Sequence, residues 1–211
     1  MGQRERRERE KQELKVKILN AARELFAEDG YKNVTMRKIA DKIEYSLPTI
    51  YEHFKNKAEI LLAIYQQSGQ LLFKIMQKIY EQDIPPLEKI QAMGRAYITV
   101  GLENRDFYEL TFLTNSIRAE QSQACSESDS QPCEIFESPA FKAFNLLVQV
   151  VKESQDEGYF SGREVMLISQ TMWAGLHGLV SLVITHPEFP WVDQDKLIEN
   201  MLRTLVQGSI S

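Results

Sequence analysis

The sequence predicts an all-α protein, and three observations predict it. Apolar residues recur at helical spacing nearly throughout the 211 residues. No segment shows the sustained period-two alternation with β-branched enrichment that a half-buried strand needs. Gly, Pro and small polar residues punctuate the chain at intervals suited to helix ends. About nine helices result, and with 43% apolar residues the chain can build a core.

The first helix carries Leu14, Ile18, Ala22, Leu25 and Phe26 on one stripe and stops at Asp29-Gly30, where Gly suits a C-cap. Arg4-Glu8, Arg6-Glu10 and Arg9-Glu13 are i,i+4 pairs that extend it toward the N-terminus. The other use of Arg4, Arg6, Arg7 and Arg9 is insertion into a DNA minor groove, and the interleaved glutamates favour the solvated helix. A second helix starts after Thr35, whose hydroxyl can cap it, and buries Met36, Ile39, Ala40 and Ile43. After the turn Glu44-Tyr45, the third opens with Ser46 as cap and Pro48 in the first turn, buries Leu47, Ile50 and Phe54, and ends by about Lys55. Asn56 and Glu59 form a box-like start for a fourth helix from Lys57 to about Tyr80.

Pro85-Pro86 breaks the chain. Later starts are marked by Asn104, by Ser138 before Pro139, by Ser161 with Glu164, and by Asp193. The five further helices fall at 86–102, 105–119, 139–157, 163–185 and 194–208. No internal repeat is present. The expected division is a helix-turn-helix domain at 1–56 and a helical domain at 57–211.

The net charge of −5 is unevenly spread: residues 1–60 hold 14 Lys and Arg against 11 Asp and Glu, and residues 61–211 hold 11 against 19. The N-terminal part is therefore the basic one, as a polyanion-binding segment requires. No apolar run approaches the roughly 20 residues of a membrane span, and Met1 to Lys17 alternates Arg and Glu where a signal core would be apolar, so a cytoplasmic protein is expected. Cys125 and Cys133 lie in the polar stretch Gln121 to Glu134. Their spacing fits no common zinc pattern, which leaves two reduced thiols on a loop or a redox-sensing disulfide.

Two short helices joined by a tight turn, with the polar residues of the second grouped on one side, is the layout that inserts a recognition helix into the major groove. Leu47, Ile50 and Phe54 point inward and leave Ser46, Pro48, Thr49, Glu52 and His53 to face out. The segment Thr35-Met36-Arg37-Lys38-Ile39-Ala40, followed by Ser46-Leu47-Pro48-Thr49-Ile50-Tyr51-Glu52-His53-Phe54-Lys55-Asn56-Lys57, resembles the tetracycline-repressor (TetR) family signature, and Ala21 to Tyr31 resembles that family's first helix. The resemblance covers about the first 60 residues. It implies that Ser46, Thr49, Tyr51 and His53 contact a double-stranded DNA operator, with Thr35 and Lys57 on the flanking phosphates and Arg37, Lys38 and Pro48 in the same interface. Free N–H groups and a partial positive charge at helix N-termini suit those phosphates. Tyr51 sits beside the apolar stripe, so its ring belongs to the core or its hydroxyl to a phosphate. The family often has Gly where this chain has Glu44, a residue that does not readily take positive φ, so a slightly different turn is expected.

Farther along, Trp173-Ala-Gly-Leu-His177-Gly178 resembles the W-x-x-x-H-G branch of the family. Trp173 and His177 lie one turn apart, either as cavity wall and hydrogen-bonding partner or as packed core. Gly175 and Gly178, costly inside a helix, imply close approach of another backbone. The last helix offers Leu197, Ile198, Met201, Leu202 and Leu205 as a wide stripe that needs a partner. The resemblance implies that the last two helices form a homodimer. Helices five to eight bring Met93, Tyr97, Phe107, Tyr108, Phe112, Trp173 and His177 toward one interior, and that excess of aromatics over aliphatics suggests a pocket for a mainly apolar effector, with no Lys or Arg to hold an anion. No phosphate loop, nucleophile elbow or metal cluster is present, and His177 with Cys125 or Cys133 are the sole candidates a helical enzyme would offer. No enzyme, cofactor or metal is expected. The functional expectation is a repressor that leaves a pseudo-palindromic operator when the effector binds, or else a dimeric regulator with no inducer.

Overall fold

Helix starts in this chain are set by side chains that accept from a backbone amide one turn on, which removes an unpaired donor from a helix N-terminus. The computed structural model describes residues 2–109 and 138–210. In it Thr35 Oγ1 accepts from Lys38 N (3.2 Å) to open α2 (Met36–Lys42), and Ser46 Oγ accepts from Thr49 N (3.4 Å) to open α3 (Leu47–Tyr51). Asn56 Oδ1 accepts from Glu59 N (2.9 Å) at the head of α4 (Lys57–Tyr80). The reciprocal half of that box is shifted by one residue, because the Glu59 carboxylate accepts from Lys55 N (2.6 Å) and not from Asn56.

Before these elements comes α1 (Gln3–Asp29), which ends at Gly30 with φ 75° and the Gly30 N–H donating to Phe26 O. A 3₁₀ turn at Tyr31–Asn33 follows. After them come α5 (Pro86–Glu103), α6 (Arg105–Tyr108), α7 (Pro139–Asp156), α8 (Val165–Thr185) and α9 (Gln194–Ile210). Ser138 caps α7 and Asp193 caps α9. Two starts and ends differ from expectation. Helix α3 closes at Tyr51, where His53 N donates to Ile50 O, a 3₁₀-type bond in place of the helical one to Thr49 O. Ser161 does not cap α8: its hydroxyl donates to Gly158 O, and the helix begins at Val165 after Glu164. Residues of the sixth expected helix beyond Glu109, with Phe112, Cys125 and Cys133, lie outside the described residues.

The described chain divides into two units, one of residues 2–67 with 106–109 and one of residues 68–105 with 138–210. The division falls inside α4. In the first unit α1 packs on α2 and α2 on α3. Their core joins Ile18, Leu19, Ala22 and Phe26 to Ile39, Ile50 and Phe54, with Ile60, Leu61 and Ile64 from the start of α4. In the second unit α5 is the central element, packed on α7, α8 and α9, while α8 also touches α7 and α9. Such crossings need small residues: a Cβ on Gly94 of α5 would meet Leu202 Cδ2 of α9 at 2.5 Å.

Two expectations change in the second unit. Gly175 is approached by a side chain of α9 and not by its backbone, Leu205 Cδ2 at 2.9 Å from an added Cβ, and Gly178 meets nothing within 4 Å in the single chain. Among the described residues, α8 is long and apolar enough by length and composition to cross a membrane. No continuous apolar run announced it, because Ser169, Gln170, Thr171, His177 and Ser181 interrupt the segment. Ile168, Met172, Leu176, Leu179, Val180 and Val183 on it are buried core.

Candidate nucleic-acid interface and effector pocket

The α2–turn–α3 segment is held from beneath by two anchors, Ile50 at 0% and Phe54 at 4% exposure. Between the helices Glu44 adopts φ 58°, and Tyr45 N donates to Ala40 O (3.0 Å), closing the end of α2. The turn thus has the left-handed residue that Gly supplies more cheaply, which corrects the expectation of an altered turn. Left-handed conformation costs a non-Gly residue about 1–2 kcal/mol. The surrounding hydrogen bonds over-determine it here.

With the anchors inside, Ser46, Pro48, Tyr51 and Glu52 are exposed and Thr49 and His53 half-buried. Tyr51 at 50% exposure is not core. Ser46 Oγ and Thr49 Oγ1 lie 2.7 Å apart and share a hydrogen bond, so two small polar side chains are fixed on the first turn of α3. Burial, with help from Lys11 and Lys15 of α1, holds the His53 imidazole below the ordinary histidine range, opposed by Glu52. Neutral His53 offers one donor and one acceptor.

The cations divide into two sets. Lys38 pairs with Asp29 (2.7 Å) and Lys42 with Glu24 (2.9 Å), both across to α1. Lys57 sits at the N-terminus of α4 as expected, but its ammonium donates to Tyr31 O (2.8 Å), Val34 O (3.1 Å) and Lys32 O (3.3 Å) and lies 4.4 Å from the Tyr31 ring centroid. It therefore braces the 3₁₀ turn ahead of α2. Arg37 is exposed and enters no ion pair among the described residues. Lys11 and Lys15, absent from the sequence-derived set, border α3: Lys15 Nζ lies 5.6 Å from the Phe54 ring centroid. Their distance from the motif along the chain hid them.

In the second unit, α4, α5, α7 and α8 enclose a cavity of about 40 Å³. Met93, Tyr97 and Trp173 line it. Leu72 and Met76 of α4 and Phe144 and Leu147 of α7 complete the wall. The sequence reading did not single these residues out, because nothing in a helical period says which side of a stripe a void will fall on. His177 stands behind the wall: its Nδ1 shares a hydrogen bond with the Tyr97 hydroxyl (3.0 Å), and its ring lies 5.7 Å from Trp173. Burial holds its imidazole below the usual range. Trp173 is 42% exposed and meets Phe144 edge-on (6.1 Å), so it closes the cavity toward solvent and does not sit deep in the core. Tyr108 is buried and does not line the cavity. Phe107 lies on α6 with its side chain outside the described residues, as is all of Phe112. No group of His, Cys, Asp and Glu among the described residues can hold a metal ion.

Residues 18–64 match the family model described as bacterial regulatory proteins, tetR family, and residues 90–205 match the tetracyclin repressor-like C-terminal domain. Among curated proteins, the chain is 23% identical over 193 residues to the HTH-type transcriptional activator FasR of Mycolicibacterium smegmatis, covering 92% of this chain and 78% of FasR. It is 30% identical over 129 residues to the HTH-type transcriptional regulator HbdR of an Aromatoleum species, covering 57% of this chain and 53% of that one. Among solved structures, the transcriptional regulator FadR of Bacillus subtilis in complex with stearoyl-CoA superposes with a TM-score of 0.72 at 21% identity, over 92% of this chain and 98% of that one. The fatty acid degradation regulator FadR of Bacillus halodurans gives 0.73 at 17% identity, over 91% and 94%. At these identities the two structures are similar in fold.

Proposed function

The chain belongs to the TetR family of bacterial regulatory proteins and is a transcriptional regulator, not an enzyme, and from that premise we propose that it acts in the cytoplasm as a homodimeric repressor that a mainly apolar effector releases from a pseudo-palindromic operator. The observation that carries the DNA reading is the exposed polar side of α3, with Ser46 and Thr49 locked to each other and Ile50 and Phe54 beneath them. Short side chains fixed on a rigid element suit base edges, and the three helix starts at Thr35, Ser46 and Asn56 suit phosphates. Arg37, Lys38, Pro48, Tyr51, His53 and Lys57 complete the proposed interface.

An apolar effector is supported by the cavity wall, in which only the Tyr97 hydroxyl and the Trp173 indole N–H are hydrogen-bonding side-chain groups and no side chain is charged. The resemblance in fold to a regulator solved with stearoyl-CoA favours an acyl chain. Release by a hundredfold requires the effector to prefer the non-operator conformation by about 2.7 kcal/mol. The lever we assign is α4, which carries Lys57 at its head and Leu72 and Met76 of the cavity wall farther on. Dimerisation is supported by the face of α8 that bears Leu167, Ala174, Gly178 and Leu182, exposed or open in the single chain, alongside the partly buried Leu197 and Met201 of α9.

A second reading, a dimeric regulator with no inducer, draws support from the cavity size: about 40 Å³ is far below the roughly 300–1,000 Å³ of small-molecule sites. One experiment separates the two. A duplex is first selected from a randomised pool by the wild-type chain and its binding followed by fluorescence anisotropy during titration with acyl-CoAs of increasing length. Release that strengthens with chain length, and weakens in Trp173→Ala while duplex affinity stays intact, supports the inducer. No release by any chain favours the second reading. Light scattering should give twice the chain mass for the wild type and less for Gly178→Leu; a monomeric wild type would remove the two-fold operator from the proposal.

A further inference from the structure

Residues 3–13 of α1 bury nothing: every one is exposed. An ordered segment without packing must be supported by something else, and a helix polar all round is held by i,i+4 pairs where it is held at all. Two such pairs are present, Arg6–Glu10 at 2.7 Å and Arg9–Glu13 at 3.8 Å. They separate the N-terminal arginines into two kinds. Arg6 and Arg9 are engaged, while Arg4 and Arg7 enter no ion pair among the described residues.

At 3.6 residues per turn, Arg4, Arg7, Lys11 and Lys15 fall on one stripe, and that stripe continues into Ile18 and Ala22, which face the core. The side of α1 that packs against the domain where there is domain to pack against is therefore basic where the helix runs past it. At its inner end the stripe adjoins α3: Lys15 Nζ lies over the Phe54 ring, and the charges of Lys11 and Lys15 act on His53. Glu8 sits at the edge of the stripe and Lys11 and Lys15 make no ion pair among the described residues. The remaining acidic residues of the segment, Glu5, Glu10 and Glu13, lie off it.

We propose that this stripe is a second nucleic-acid-binding surface, a helical strip on which Arg4, Arg7, Lys11 and Lys15 follow the phosphates of one duplex strand beyond the segment read by α3. The partner is the sugar-phosphate backbone, not base edges. Cations spaced along a helix with no fixing hydrogen bonds neutralise phosphate charge and carry no sequence code. The inference rests on the DNA-binding reading of α3. It adds a contribution that reading does not contain: sequence-independent affinity from the N-terminal half of α1.

The test compares two variants of equal charge change, Arg4→Gln/Arg7→Gln and Arg6→Gln/Arg9→Gln, in the full-length protein. The probe is a random-sequence 40-base-pair duplex, with affinity measured by anisotropy from low to moderate salt. The slope of log affinity against log salt is about −0.9 per phosphate neutralised. The first variant should lose about two from the magnitude of that slope, and the second should keep the wild-type slope. Glu8→Gln should tighten binding. Equal slopes in the two double variants, or a first variant identical to wild type, would overturn the strip while leaving α3 in place. A wild-type chain that binds no duplex at all would overturn both readings together. Circular dichroism on each variant separates loss of contact from loss of the helix, and a first variant whose helix is lost is replaced by Arg4→Lys/Arg7→Lys, which must retain the wild-type slope if charge alone acts.

Discussion

The two units of the chain carry their information at different ranges. In the first, each element is specified by residues inside or next to it: Thr35 opens α2, Ser46 opens α3, Asn56 opens α4, and the exposed face of α3 follows from where Ile50 and Phe54 must go. In the second, the cavity exists only because four helices separated by as many as about a hundred residues leave a gap between Met93, Phe144 and Trp173. A local code makes a motif recognisable. A packing code makes a pocket that only the folded chain reveals.

That contrast can be broken, and the largest expected effect is in the core of the first unit. Ile50→Ala removes a side chain with no exposure and should cost about 2–5 kcal/mol, with duplex affinity lost in step with stability in a denaturant titration. Retained folding with lost affinity would mean that Ile50 acts in the interface and not beneath it.

Next in size is Lys57. Its three carbonyl partners make it a brace, and its place at the head of α4 makes it a proposed phosphate contact. Lys57→Met should lower stability by about 1–3 kcal/mol and the salt slope by about one. A stability loss with an unchanged slope would leave the brace alone.

Glu44→Gly tests the turn. With φ at 58°, the substitution should raise stability by roughly 0.5–1 kcal/mol, since it relieves left-handed strain at some cost in unfolded-chain entropy. Destabilisation would mean that the Glu44 side chain holds the turn.

The smallest effect separates the units by pH. His177 is held neutral by burial, so its folded form takes up a proton less readily than the unfolded chain. The sign follows: stability is unaffected well above pH 6.5, the ordinary histidine value, and falls as pH drops below it, because the unfolded state then binds more protons. His177→Gln should flatten that fall between pH 7.5 and 5.5 in matched urea melts; an unchanged fall would assign it to His53.

The same contrast accounts for what was legible in the sequence. Helix positions were, because caps and apolar periods are local, and so was the exposed polar side of α3. Glu44 misled because propensity argues against positive φ, whereas the Tyr45–Ala40 hydrogen bond and the packing of α3 impose it. Ser161 misled because its hydroxyl had a nearer acceptor in Gly158 O. The Lys57 ammonium, the Lys15–Phe54 approach and the Leu72, Met76 and Leu147 lining were not legible, since each depends on a neighbour distant in sequence. Gly178 was read as a crossing from its cost to the helix, and the chain alone offers no neighbour there.

The central claim is that the outer side of α3 reads DNA sequence, and duplex selection tests it most directly. Wild type, Thr49→Ala, His53→Ala and Lys57→Met are each used to enrich duplexes from a randomised pool, and the enriched sequences are compared. The account predicts a pseudo-palindromic motif for wild type, altered preference at matching positions of both half-sites for the Thr49 and His53 variants, and the wild-type motif at reduced affinity for Lys57→Met. An identical motif from the wild type and the Thr49 and His53 variants, or no motif from any of them, would contradict it.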